Sequence, residues 1–137
     1  MTYNHKNIVI LFISLIFLFA GADLSAQQNG GQELDVDEVA AKEAERLGEL
    51  LEMEYWQIFY ADSILRHDYG CLNQEILQMR KDRISQNELY QRVQDKWTEK
   101  ADNALKKILT PEQWNKYLKD GAGRRIRERE KRKKGRY

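Results

Sequence analysis

The feature that most constrains this chain is an apolar seam that runs a long way without a helix breaker. Tyr55, Ile58, Leu65, Tyr69, Leu72, Ile76 and Met79 fall on three- and four-residue steps, with Asp62 the one polar intruder. That spacing keeps one stripe apolar on a continuous helix, as in a coiled-coil seam. It predicts a helix over 54–83, roughly 45 Å long at 1.5 Å per residue. Gly70 lies within this run and is expected to loosen it. Proline occurs once, at Pro111, and no stretch alternates apolar and polar residues for long enough to make a strand. The fold class read from this is all-α.

The flanking segments follow the same logic. Val36, Val39, Ala40, Leu47, Leu50 and Leu51 form a stripe on an earlier helix that starts near Asp35 or Asp37, where acids favour the first turn. Gly48 is expected to bend or end it. Ser85-Gln86-Asn87-Glu88 has the pattern of a capping box. It predicts a third helix to about Leu109, with Leu89, Val93, Trp97, Ala101, Ala104 and Ile108 as its stripe. The short link at Asp82-Arg83-Ile84 makes the second and third helices an antiparallel hairpin. Thr110-Pro111-Glu112-Gln113 starts a short fourth helix, with Thr110 as cap and Pro111 at the first helical position. Gly121 and Gly123 are expected to stop it. An elongated hairpin encloses its own seams poorly, so a homodimer is expected.

The N-terminus reads as a secretory signal. Lys6 precedes an apolar run from Ile8 to Ala20, which is 13 residues long against the ~20 that a spanning helix needs. Small residues at Ala22 and at Ser25-Ala26 offer cleavage points, and cleavage after Ala26 leaves 111 residues, enough for one domain. The expected organisation is a signal peptide at 1–26, a flexible leader at 27–34, a helical domain at 35–121 and a basic tail at 122–137. The expected location is the periplasm. Cys71 is the only cysteine, so no internal disulfide can form. The near-neutral total charge of +1 hides an asymmetry: residues 124–137 carry nine basic and two acidic side chains, while 27–123 carry 13 basic and 19 acidic.

Leu109-Thr110-Pro111-Glu112-Gln113 fits the pattern LTxxQ. Met53-Glu54-Tyr55-Trp56-Gln57 fits it loosely, with Glu54 where the pattern has Thr. Each stands at the start of a helix. This arrangement resembles the Spy/CpxP-like periplasmic LTxxQ-motif family over residues 36–120. The resemblance implies long helices, often in cradle-shaped antiparallel dimers, and ATP-independent chaperone activity or partnership with envelope-stress sensors. It implies structural roles for Met53, Gln57, Leu109, Thr110 and Gln113: capping helices and fixing chain reversals. Glu54, and an acidic body where a chaperone would present a basic concave face, are departures that bear on activity more than on fold.

Other candidates are weighed on chemistry. Trp56, Phe59 and Tyr60 are either a surface for clients or for a second subunit, or aromatics packed under the first helix. Helical spacing favours packing. His67, Asp68 and Cys71 share a helix face, but two good zinc ligands do not make a site, and Cys71 is better read as a small apolar residue. Ser63 and Ser85 lack His and acid partners, and no glycine-rich phosphate loop is present. No enzyme activity, metal or cofactor is expected. The tail supplies Arg124, Arg125, Arg127, Arg129, Lys131, Arg132, Lys133, Lys134 and Arg136. It either meets an anionic membrane surface or is a solvated, disordered or transiently helical terminus, and it has the acidic body as a competing target. Nucleic acid is not an expected partner of an exported chain. Two functions follow: binding of unfolded or stress-damaged clients in the periplasm, or a non-enzymatic adaptor that binds an envelope sensor protein or an anionic surface through the tail.

Overall fold

The computed structural model describes residues 35–135; the export signal and the leader expected at 1–34 lie outside these residues. Helix α1 (Val36–Leu50) begins where Asp35 accepts hydrogen bonds from the backbone N–H groups of Asp37 and Glu38. That satisfies two of the donors that every helix start leaves open. It ends in a reversal with Glu52 at φ +52°, after which the Met53 N–H returns to the Gly48 carbonyl at 2.9 Å. Helix α2 (Tyr55–Lys81) ends the same way. Arg83 takes φ +55°, and the Ile84 N–H bonds the Met79 carbonyl at 3.0 Å. Both are Schellman-type closures in which an ordinary residue occupies the left-handed position that glycine more often fills.

Helix α3 (Asn87–Ile108) opens at Gln86 without a side-chain cap. The box expected at Ser85 is therefore not formed, and Glu88 instead pairs with Arg92 one turn on. Helix α4 (Pro111–Tyr117) runs into a π-helical turn (Leu118–Ala122) and then into α5 (Gly123–Lys134). Gly121 breaks the helical run, as expected of a stop: it takes φ +121°, a conformation that costs glycine little. Gly123 does not stop the chain but opens the next helix. The terminus expected to be solvated or only transiently helical is a three-turn α-helix.

All described elements are helical, and none of these helices is long and apolar enough to cross a membrane. The core takes its side chains from Ala40, Ala44, Leu47 and Leu51, then Met53, Ala61 and Leu65, then Ala101 and Leu105, and finally Tyr117 and Ala122, with none from α5. The many small residues let helix axes approach closely. α1 ends two residues past Gly48, as expected, and Gly48 itself belongs to this close-packed set, because a Cβ there would lie 2.8 Å from Ile58 Cδ1. Further along α2, Leu72, Ile76 and Met79 are buried within the single chain. The seam at these positions is thus closed without a second copy. At its other end the seam shifts: Tyr55 is 92% exposed, and Gln57 and Ala61 are buried in its place. On α3 the best-buried apolar residue is Leu105, outside the expected stripe, while Leu89, Val93, Trp97, Ala104 and Ile108 are only half-buried.

Candidate functional site

The two motif segments meet. Gln57 is buried at the start of α2, and its amide has two N–H donors and an oxygen with two lone pairs. Its Nε2 donates to the Ile108 carbonyl at 2.8 Å and to Gln113 Oε1 at 2.7 Å. Its Oε1 accepts from the Glu54 backbone N–H at 2.9 Å and from Gln113 Nε2 at 3.1 Å. Gln113 does the equivalent at α4: its Oε1 accepts from the Thr110 N–H at 3.0 Å, while Thr110 Oγ1 accepts from the Gln113 N–H at 3.2 Å. Each glutamine thus caps its own helix and binds the other glutamine. Met53 lies in the core, Leu109 packs against it, and Thr110 is exposed at its cap. Around this junction the Gln113 amide reaches the Glu52 carbonyl, and Lys116 pairs with the Glu52 carboxylate. The loose motif keeps its geometry because Glu54 supplies the backbone N–H that Gln57 needs, whatever its side chain. The Glu54 carboxylate also accepts from Trp56 Nε1, at 2.8 Å.

Beside this junction lies the most exposed apolar surface of the described residues. Trp56, Phe59 and Tyr60 are 49%, 69% and 52% exposed, with Tyr55 and Leu50 nearby in sequence also open. The rings do not pack under α1, contrary to the expectation from helical spacing. Tyr60 receives both neighbours edge-on, Trp56 at 6.2 Å and Phe59 at 5.7 Å between centroids. Periodicity alone misplaced them because Gln57 and Ala61 take the inward face of this turn.

The basic tail is divided by its own helix. Its inward residues dock on aspartates and a glutamate of α3, part of the acidic body that competes for the tail. Asp102 is buried and accepts from Tyr117 Oη at 2.7 Å, Arg129 Nη2 at 3.0 Å and Arg125 Nη2 at 3.3 Å. Arg132 grips Asp95 through two bonds of 2.9 and 2.7 Å, and Lys133 pairs with Glu99. Arg129 also donates to Thr98, while its Nε has no partner. Burial, followed by the Asp102 charge, pushes the Tyr117 phenol well above its usual range. The hydrogen bond to Asp95 raises the Arg132 guanidinium, and the one to Glu99 raises the Lys133 ammonium. Arg124, Arg127, Lys131 and Lys134 face solvent, and Arg136 lies outside the described residues. The spacing of Asp95, Glu99 and Asp102 along one helix face was the available signal for this docking. Next to the kink at Gly121, Arg46 ties α1 to the chain just before the tail, joining Glu43 and Asp120 at 2.8 Å each.

The remaining candidates stay apart. His67 Nδ1 lies 2.8 Å from buried Asp68, and Cys71 Sγ lies 3.9 Å from His67 Nε2. No group of three or more His, Cys, Asp or Glu among the described residues is placed to hold a metal ion. Comparison with protein-family models, with curated proteins and with solved structures finds no match to this chain.

Proposed function

We propose that this chain is a non-enzymatic helical protein of the bacterial envelope that binds apolar segments of unfolded proteins through the aromatic surface at the start of α2. The observation that carries this reading is the exposure of Trp56, Phe59 and Tyr60 on a well-capped helix. Three neighbouring exposed rings are costly to leave in water, and aromatic side chains present large contact areas at low conformational cost. A sequence-tolerant client site needs this: adaptable apolar area, few directional groups and a rigid support. The interlocked Gln57–Gln113 junction supplies the support. The signal-like N-terminus and the two LTxxQ-like segments favour the periplasm and kinship with the Spy/CpxP-like proteins. Contacts that pair Gln57 with Ile108, and Glu75 with Lys96 and Trp97, run in opposite senses along α2 and α3 and support an antiparallel hairpin.

The test is light scattering of several unrelated aggregating clients, with and without the protein. The wild type is expected to suppress aggregation without ATP, and the combined change Trp56→Ser, Phe59→Ser and Tyr60→Ser is expected to abolish suppression. Exposed substitutions of this kind change stability little, so the variant should melt close to the wild type. If the wild type suppresses nothing, but sediments at tens of micromolar as a dimer that the same substitutions dissociate, the rings are a self-association surface and the client reading is refuted.

A further inference from the structure

Helix α5 carries eight cationic side chains between Arg124 and Lys134, and the fold sorts them into two rows with opposite surroundings. Arg125, Arg129, Arg132 and Lys133 point to Asp102, Asp95 and Glu99 and pair with them, Arg125 and Arg129 sharing Asp102. Arg124, Arg127, Lys131 and Lys134 are all exposed. Their spacing of three, four and three residues puts them on one face of an α-helix, in a row about 15 Å long at 1.5 Å per residue. Only Lys131 of this row has an ion pair among the described residues, with Glu128 at 3.1 Å. Glu130 is drawn to Lys133 at the flank instead. The carboxylates of α3 that face this helix, the nearest competitors for a basic tail, are paired with the inward row.

We propose that the outward row of α5 is a docking face for an anionic phospholipid bilayer. Charge complementarity carries this assignment. A straight row of long cationic side chains on a helix held flat against the protein meets many phosphates of a planar surface at once. The two arginines offer forked donors that suit phosphate oxygens. The row contains no apolar side chain to insert, since Ile126, the helix's apolar residue, is half-buried. The contact is therefore peripheral and governed by screening. No aromatic side chain lies on α5 to stack a base, as single-stranded nucleic-acid binders require. Docking of the inward row keeps the outward row aligned, so the helix need not fold on contact. The assignment is independent of the client surface on α2.

The experiment is co-sedimentation of the full chain with vesicles of phosphatidylglycerol and phosphatidylethanolamine, and with phosphatidylcholine vesicles as the neutral control. Each cation near an anionic surface is worth about fivefold in affinity. The combined change Arg124→Gln, Arg127→Gln, Lys131→Gln and Lys134→Gln should thus weaken binding to the anionic vesicles roughly a hundredfold or more. Its melting temperature should stay unchanged, because none of these residues is buried. Binding of the wild type should fall steeply between 0.1 M and 1 M salt, as the screening length drops from about 10 Å to about 3 Å. Glu128→Gln with Glu130→Gln should strengthen it. Equal binding of wild type and quadruple variant overturns the proposal, as does equal binding to neutral vesicles. Binding to soluble polyphosphate with none to anionic vesicles overturns the bilayer as the occupant.

Discussion

At the Gln57–Gln113 junction the bonds between the two motif segments join neutral amides and carbonyls; along α5 most bonds to the body join opposite charges. Both regions tie together parts of the chain far apart in sequence, 56 residues in one case and 27 in the pair Asp102–Arg129. The amide junction is nearly saturated: the Gln57 side chain uses both donors and both lone pairs. It is expected to be indifferent to salt and to pH over the range where carboxylates titrate. The charged clamp has a buried centre, Asp102 with Arg129, and an outer end where Arg132 and Lys133 are partly exposed. A buried ion pair contributes little net stability over an apolar substitute, but removal of one partner strands the other charge. The two regions thus differ less in how much they stabilise than in what can weaken them.

Asp102→Ala leaves Arg129 buried without its carboxylate. We expect a loss of about 3–5 kcal/mol and of hydrogen-exchange protection throughout α5. If protection falls equally in α1 and in α5, the clamp is not a separable unit. Joint replacement Asp102→Leu with Arg129→Met should cost less than Asp102→Ala alone.

High pH addresses the clamp and its surroundings next. Burial pushes the phenols of Tyr69 and Tyr117 above the ordinary value of 10.0. The unfolded chain releases these protons near pH 10 while the folded chain keeps them, so above that pH the unfolded state binds fewer protons and stability falls. The slope is about 1.4 kcal/mol per tyrosine for each pH unit above 10. Tyr69→Phe should reduce it in urea titrations between pH 9 and pH 11; an unchanged slope would place the Tyr69 hydroxyl in solvent.

Gln57→Ala tests the amide junction. It strands the Ile108 carbonyl and the Glu54 N–H and should cost about 1–3 kcal/mol, by the same amount in 0.1 M and in 1 M salt. Gln57→Ala and Gln113→Ala together should cost less than their sum, because they share bonds. A salt-dependent cost would erase the contrast with α5.

Thr110→Ala is the smallest of these effects. Loss of this cap should cost about 1 kcal/mol and leave client binding per folded molecule unchanged. Full stability with abolished binding would make the motif a contact surface.

Helix positions were readable because the forces that set them are local. Asp35 at an N-cap and Thr110-Pro111 with Gln113 satisfy open helix donors within three residues, and such pairs are visible as spacing. Leu65, Leu72, Ile76 and Met79 follow a period that only one helix face can satisfy. Where local and distant demands competed, the distant ones prevailed. Tyr55 fits the apolar period but is exposed, since its turn is rotated to bury Gln57 against Ile108 and Gln113. Ser85 has the form of a capping box, yet the chain reverses through Arg83 and enters α3 at Gln86. Gly48 and Gly121 had the same apparent meaning in sequence. One is also a packing contact with Ile58, the other the break between two consecutive helices.

An all-helical fold over the described residues, the approximate span of its helices and the two glutamine motifs that open α2 and α4 were legible in the sequence, because hydrogen-bond satisfaction and apolar period act over a few residues. Only the tertiary structure decided that the motifs bind each other, that three aromatic rings stay open, and that the basic tail is a docked helix with an inward and an outward row. Those outcomes depend on which aspartates, glutamines and carbonyls face one another across the fold, and pairings at separations of 27 to 56 residues leave no period in the chain to read.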